Sequence, residues 1–231
     1  MHLTAAGAEV VLAAWTGPVD ASGKKQWYGL NRDANLTAGL IATTTQRNGT
    51  VTSAPFSIAT DWIKYFIEKD ASFNVANISD AEYFRILHES RNQYAGIIDT
   101  SDPDLSLFNA HGGKVITWHG LADRLIFPNG SVNYYERVSA QSPNTPDFYR
   151  FFEVPGTTHC APGPGPYPVD VLESLVAWVE HGQAPDVLAT GNVTLNGGRL
   201  SDASLRSVCA WPKTQRYVGG DPDSKESFVC A

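Results

Sequence analysis

Basic clusters, long apolar runs and paired cysteines are all scarce in this chain, and each scarcity excludes something. The 231 residues carry 17 Lys and Arg against 24 Asp and Glu, for a formal charge of −7, and no stretch is locally basic. Nucleic acid and anionic membranes are therefore not expected as partners. No apolar run approaches the ~20 residues needed to cross a bilayer, which excludes a transmembrane helix. Met1-His-Leu-Thr has no basic region and Val10-Val-Leu-Ala-Ala-Trp15 is a short apolar stretch running into Thr-Gly-Pro, so no signal peptide is expected. Only three cysteines occur, Cys160, Cys209 and Cys230, and an odd count leaves one without an internal partner.

What is present describes a globular protein of one domain or one and a half, with 42% hydrophobic and 18% charged residues. Five Asn-x-Ser/Thr sequons, at Asn35, Asn48, Asn77, Asn129 and Asn192, favour an extracellular origin despite the missing leader. The apolar segment from Thr4 to Trp15 predicts a helix with Val10, Val11 and Ala14 on one face. Gly17-Pro18 and Ser22-Gly23 then mark a loop. Leu36 to Val51, rich in Thr, Ala and Gly, predicts an exposed irregular stretch. Phe56, Ala59, Trp62, Ile63, Phe66 and Ile67 have helical spacing and predict a core-facing stripe over Phe56 to Lys69. Ser79-Asp-Ala-Glu82 is a capping box, with Tyr83, Ile86, Leu87 and Tyr94 continuing a helix behind it. His88 lies in that helix with no second ligand four residues away, and is expected to be structural.

The most informative stretch runs from Lys114 to Cys160. Lys114-Val-Ile-Thr-Trp118 predicts a strand ending at His119-Gly120, with Asp123 just beyond it. Gly130 to Ala140 has helical spacing. Phe148 to Val154 predicts a second strand, broken by Pro155-Gly156, that delivers His159-Cys160 onto a loop. One helix and one strand in the interval place Asp123 and His159 at the ends of adjacent parallel strands. An acid and then a histidine is the chain order of the last two triad members in α/β-hydrolases. A serine nucleophile needs an imidazole to take its proton, and the imidazole needs a carboxylate to hold its tautomer. Asp170 to Glu180 predicts a helix with a broad apolar stripe, ended by Gly182, and Arg206 to Cys230 lacks helical or strand periodicity.

His119-Gly-Leu-Ala-Asp-Arg-Leu-Ile126, Tyr134-Tyr-Glu-Arg-Val138, Phe148 to Cys160 and Gly163-Pro-Gly165 together resemble the tannase and feruloyl esterase family. The resemblance runs over nearly the whole chain and is strongest from Gly112 to Val187. It implies a secreted α/β-hydrolase with a large inserted lid and a Ser-Asp-His triad, acting on phenolic-acid esters. Asp123 would be the acid and His159 the base. Cys160 would be disulfide-bonded to a cysteine beside the nucleophile, and Cys209 would pair with Cys230. Trp27-Tyr-Gly-Leu30 is similar to the family's lid signature, although a tryptophan and tyrosine beside glycine are more often a packed loop than a ligand platform. Asp102 to Lys114 looks like the passage from lid to hydrolase sheet, which puts residues 1–100 in part of the lid and 101–231 in the carboxyl-terminal part of the catalytic domain. The expected fold class is thus α/β.

His119-x-x-x-Asp123 with His159 could be read as a metal set, but the family has a His-Gly turn there without metal chemistry, so no metal is expected. The prolines of the glycine-rich stretch from Ala161 to Tyr167 remove backbone donors and argue against a phosphate cradle. The family's calcium loop has no counterpart, so no cofactor is expected. No Gly-x-Ser-x-Gly and no Cys-Ser pair occurs. Two strands cannot make a hydrolase sheet. The chain thus reads as a processed subunit disulfide-linked through Cys160 to an amino-terminal chain, a truncated gene product or a degenerate copy. It should be inactive alone. A non-catalytic secreted binding module is the competing reading.

Overall fold

The structure is a computed structural model that describes residues 4–36, 42–160, 163–191, 205–222 and 224–231. Two compact units separate, one of Met1–Leu30 with Asn35–Asp102, the other of Asn31–Ala34 with Pro103–Ala231. No helix among the described residues is long and apolar enough to cross a membrane.

In the first unit, α1 spans Ala5–Thr16. The Thr4 hydroxyl caps it by accepting from Gly7 N–H at 3.1 Å, and Gly17 ends it at φ 79°. A side chain at Gly17 would also meet the Tyr28 carbonyl carbon at 2.5 Å, so glycine there serves a close crossing as well as the turn. The helix forms as expected, but none of its residues is buried and Val10 faces out. Strands β1 (Thr43–Thr45) and β2 (Val51–Ser53) make an antiparallel hairpin where an irregular stretch was expected. Its Thr-rich strands are exposed throughout, which hides them from an alternation-based reading.

The stripe from Phe56 onward is not one α-helix. After α2 (Ser57–Trp62) the chain widens into a π-turn, Ile63–Ile67, in which Glu68 N–H donates to Ile63 O at 2.8 Å. This stacks Trp62 on Phe66 at 4.6 Å and places Tyr94 4.9 Å from Trp62. Ile67 is buried but Phe66 is half exposed, so the stripe covers less core than its spacing implies. Helix α3 (Asp80–Ile98) starts at Ser79, whose hydroxyl accepts from Glu82 N–H. The Glu82 carboxylate does not close the box. It joins Glu68 and Glu89 around Arg85, at 2.6, 2.6 and 2.8 Å.

The second unit opens with α4 (Ser106–Ala110), a single turn inside the expected linker. Strand β3 (Val115–Gly120), α5 (Pro128–Gln141) and β4 (Tyr149–Val154) follow. β3 and β4 pair in parallel from Val115↔Tyr149 to Gly120↔Val154. β4 is buried on both faces. Tyr149 and Phe151 pack with Tyr135 and Val138 of α5, while Phe152 and Val154 pack with Leu188, Val208 and Ala210. That two-sided burial explains why Phe151 and Phe152, neighbours in sequence on opposite faces, are both apolar, while Arg150 and Glu153 stay half-buried.

Strand β5 (Tyr167–Pro168), α6 (Val171–His181), β6 (Val187–Gly191) and β7 (Leu205–Cys209) complete the core, with β5, β6 and β7 antiparallel. Gly182 closes α6 in the left-handed region at φ 69°. Trp178 is the buried residue of α6, whereas Leu172, Val176 and Val179 are exposed, so half of the expected stripe faces outward. The tail departs from its irregular reading. β7 belongs to the core sheet, and β8 (Gln215–Tyr217) pairs with β9 (Phe228–Cys230). Three-residue strands are too short to show a period, and only their partners identify them.

A disulfide joins Cys209 to Cys230 across 21 residues. Closing a loop of that length stabilises the folded chain by about 3 kcal/mol in the chain-entropy description. Cys209→Ser combined with Cys230→Ser is therefore expected to lower the unfolding free energy by about that amount, measured by urea titration. A reducing agent should shift the wild-type midpoint similarly and leave the double variant's unmoved.

Candidate functional site

The carboxyl ends of β3 and β4 carry the site. β3 runs out at Gly120, and Leu121 N–H donates to Val154 O at 2.9 Å while Ala122 N–H donates to Thr157 O at 3.0 Å. These bonds stitch the loop after β3 to the loop after β4. Gly120 is required there, because an added Cβ would lie 2.2 Å from Thr157 O. Gly120→Ala is expected to cost about 1–3 kcal/mol of stability through overpacking. It should also separate the two loops, read as loss of the hydrogen-bonded Nδ1 proton of His159 in NMR spectra.

Asp123 is buried at 3% exposure, and four donors surround its carboxylate. Oδ1 accepts from Leu125 N–H at 2.8 Å and Ile126 N–H at 3.0 Å. Oδ2 accepts from His159 Nδ1–H at 2.9 Å, across 36 residues of sequence, and lies 3.2 Å from His119 Nε2. Burial pushes the Asp123 carboxyl up, but the two backbone amides and His159 outweigh it, and the net effect holds it below the usual carboxylate value. Nδ1 of His159 faces an acceptor, so it carries the proton in the neutral ring and leaves Nε2 with a lone pair. The His159 side chain is 38% exposed, and its Nε2 has no partner among the described residues. An imidazole held in that tautomer, with its other nitrogen open, is the arrangement a general base needs.

The chain around the pair is nested tightly. Gly156 has φ 72°, and a Cβ on Gly165 would fall 2.0 Å from Pro155 O, so the glycines of this stretch permit backbone to lie on backbone. Thr157, fully buried, donates its hydroxyl to Pro166 O at 2.9 Å. Ala161 and Pro162 of the same stretch lie outside the described residues. Cys160 follows His159 in a left-handed conformation, φ 48°, exposed and unpaired. Glu153, level with His119 in the β3–β4 register, has its carboxyl pushed up by burial and by the charge of Asp33.

The Tannase and feruloyl esterase family model matches residues 1–231. The chain belongs to the tannase and feruloyl esterase family. It is 35% identical over 234 residues to a protein of Arthroderma benhamiae named "Probable feruloyl esterase", covering 99% of this chain and 43% of that protein. It is 40% identical over 129 residues to the mono(2-hydroxyethyl) terephthalate hydrolase of Piscinibacter sakaiensis, covering 55% of this chain and 21% of the other. The crystal structure of feruloyl esterase B from Aspergillus oryzae superposes with a TM-score of 0.79 at 28% identity, covering 99% of this chain and 46% of that one. The chain thus spans less than half the length of these relatives, and its fold is of the α/β-hydrolase type, as its sequence implied.

Of the residues singled out from sequence, Asp123 and His159 come together in one hydrogen bond. His119, weighed only as a metal ligand, instead reaches the same carboxylate oxygen as His159. No group of three or more metal-ligating side chains occurs among the described residues. Its i, i+4 spacing from Asp123 was the available signal, and the spacing does not distinguish a ligand from a hydrogen-bond partner. Asn48 lies in the exposed turn between β1 and β2, and Asn77 ends a short 3-10 turn. Asn129 sits in the first turn of α5 with its amide donating to Asn31 Oδ1 at 3.1 Å. Asn35 is exposed and Asn192 lies outside the described residues.

Proposed function

We propose that this chain is the acid–base part of a secreted serine esterase that cleaves esters of aromatic acids, phenolic ones foremost. The observation that carries this reading is the 2.9 Å bond between Asp123 Oδ2 and His159 Nδ1, at the ends of neighbouring parallel strands, with His159 Nε2 open. In the reaction, Nε2 takes the proton of a serine hydroxyl as its oxygen bonds to the ester carbonyl carbon. The tetrahedral intermediate collapses when the imidazolium returns that proton to the leaving alcohol, and water repeats the cycle on the acyl-enzyme. Aromatic acyl groups are favoured because the relatives are named for feruloyl and terephthalate esters. The serine would come from a segment not contained in these 231 residues, and Cys160 would tie that segment to the His159 loop through a disulfide. Residues 1–100 would serve as part of the lid, and the exposed sequons at Asn48 and Asn77 fit a secreted glycoprotein.

The test is fluorophosphonate labelling of the protein from its native source, followed by mass analysis with and without reductant. The label is expected on a serine adjacent to a cysteine, in a peptide that is disulfide-linked to Cys160 before reduction and separates from it on reduction. Ester hydrolysis that persists with no serine labelled, or a labelled serine within these 231 residues, would remove it.

A further inference from the structure

The bond between Asp123 and His159 has a neighbour that the general-base chemistry does not use. His119 stands at the end of β3 with 14% of its side chain exposed, and both its ring nitrogens are engaged. Nε2 lies 3.2 Å from Asp123 Oδ2 and 3.1 Å from Ile126 O, two groups that can only accept. Nε2 must therefore carry a proton. Nδ1 lies 2.8 Å from Ser131 Oγ on α5, so in the neutral ring it accepts from the Ser131 hydroxyl. The ring is thus fixed from two sides, by a helix and by the loop that holds the acid.

We propose that His119 is a positioning residue for the Asp123–His159 pair, its Nε2–H holding Asp123 Oδ2 where it accepts from His159 Nδ1–H, with Ser131 fixing the His119 ring. The inference rests on reading that pair as the acid and base of the esterase. Its physical basis is the division of labour on the carboxylate. The amides of Leu125 and Ile126 pin Oδ1, and without His119 the only donor to Oδ2 among the described residues would be the imidazole it is meant to orient. A carboxylate oxygen held by a second donor keeps its direction when the base changes protonation state during turnover.

Long-range proton–nitrogen NMR of the 231-residue chain reads the tautomer of each ring without substrate. In the wild type, His119 should be protonated at Nε2 and His159 at Nδ1. His119→Ala is expected to lower the ratio of the Nδ1–H to the Nε2–H tautomer at His159 by about tenfold, the equilibrium factor carried by one hydrogen bond to a charged group. His119→Gln, whose amide can donate to the same oxygen, should recover most of the ratio. Where the alanine variant does not fold, Ser131→Ala keeps the ring in place, removes its outer hydrogen bond and should lower the ratio by about threefold. A His119→Ala chain that folds with the His159 ratio unchanged would overturn the proposal, as would an unchanged ratio in folded Ser131→Ala or a wild-type His119 unprotonated at Nε2. Failure of the esterase reading would show separately, as hydrolysis by the intact enzyme that survives His159→Ala.

Discussion

Asp123→Asn in the intact esterase is expected to lower kcat about 10,000-fold while KM stays within about a factor of two. The direction in which the new amide sits is decided by the backbone. Leu125 N–H and Ile126 N–H both donate to Oδ1, so the asparagine keeps its oxygen on that side. Its NH2 group then takes the place of Oδ2 and faces His159 Nδ1, which must become an acceptor. The proton moves to Nε2, the nitrogen that has to receive the serine proton, and the base is lost without a change in shape. His119 Nε2–H would meet the same NH2 group, a donor against a donor. Substrate contacts are untouched, which is why KM should hold. A fall in kcat of less than about tenfold, in a variant shown to be folded, would mean that Asp123 does not set the tautomer.

The same carboxylate makes a prediction about pH. Burial raises its pKa, the Ile126 and Leu125 amides and His159 lower it by more, and the folded value ends below the ordinary one of about 3.9. A group depressed in the folded state contributes stability above its unfolded pKa and loses it as pH falls through the folded value. Asp123 therefore stays ionised, and its contribution to stability stays whole, above about pH 4. Loss of folding that begins between pH 5 and 6 has to originate elsewhere, and urea titrations of wild type against Asp123→Asn, followed by circular dichroism, check this: the stability difference between the two should be constant above about pH 5 and narrow only below about pH 4.

What the sequence disclosed, it disclosed through local signals. β3, β4 and α6 were legible because each has an apolar run bounded by its own stop, His119-Gly120, Pro155-Gly156 and Gly182, and α5 was legible from its helical spacing. Ser79 announced α3 by the same logic. The π-turn at Ile63–Ile67 was invisible because a five-residue widening barely disturbs helical spacing. β8 and β9 were missed because three residues show no period and their pairing is set across a disulfide-closed loop. At the site, residue types and chain order pointed to Asp123 and His159. The second donor to Asp123 Oδ2 was beyond reach, since it depends on the Ser131 hydroxyl arriving from α5 to meet the His119 ring. The prolines between Ala161 and Tyr167 argued against a cradle, but what the glycines do was not legible: Gly165 lies against the backbone of Pro155 and Gly156.

The position that holds the site together from beneath is Phe152, and Phe152→Ala is expected to cost about 4 kcal/mol of unfolding free energy. The ring is fully buried in the middle of β4, level with Trp118 on β3 and packed with Val154, Leu188, Val208 and Ala210. Phe152 also forms the backbone bridge to Ala210 that attaches the disulfide-bearing segment to β4. Neighbours held by two sheets cannot collapse into the vacated space, so the substitution loses both transfer free energy and the contacts across a cavity. Phe66 gives the internal comparison. It is 48% exposed, and Phe66→Ala should cost only about 1 kcal/mol, because half of the ring is already in water. A domain has about 5–15 kcal/mol in total, so the loss at Phe152 takes a large share of it. Since β4 delivers the His159 loop, fraying should reach the site before global unfolding, and hydrogen exchange at Leu121 and Ala122, whose amides tie the two loops, should accelerate first. Urea titration that places Phe152→Ala within about 1 kcal/mol of wild type would show that β4 is held by its edges rather than by its two-sided core.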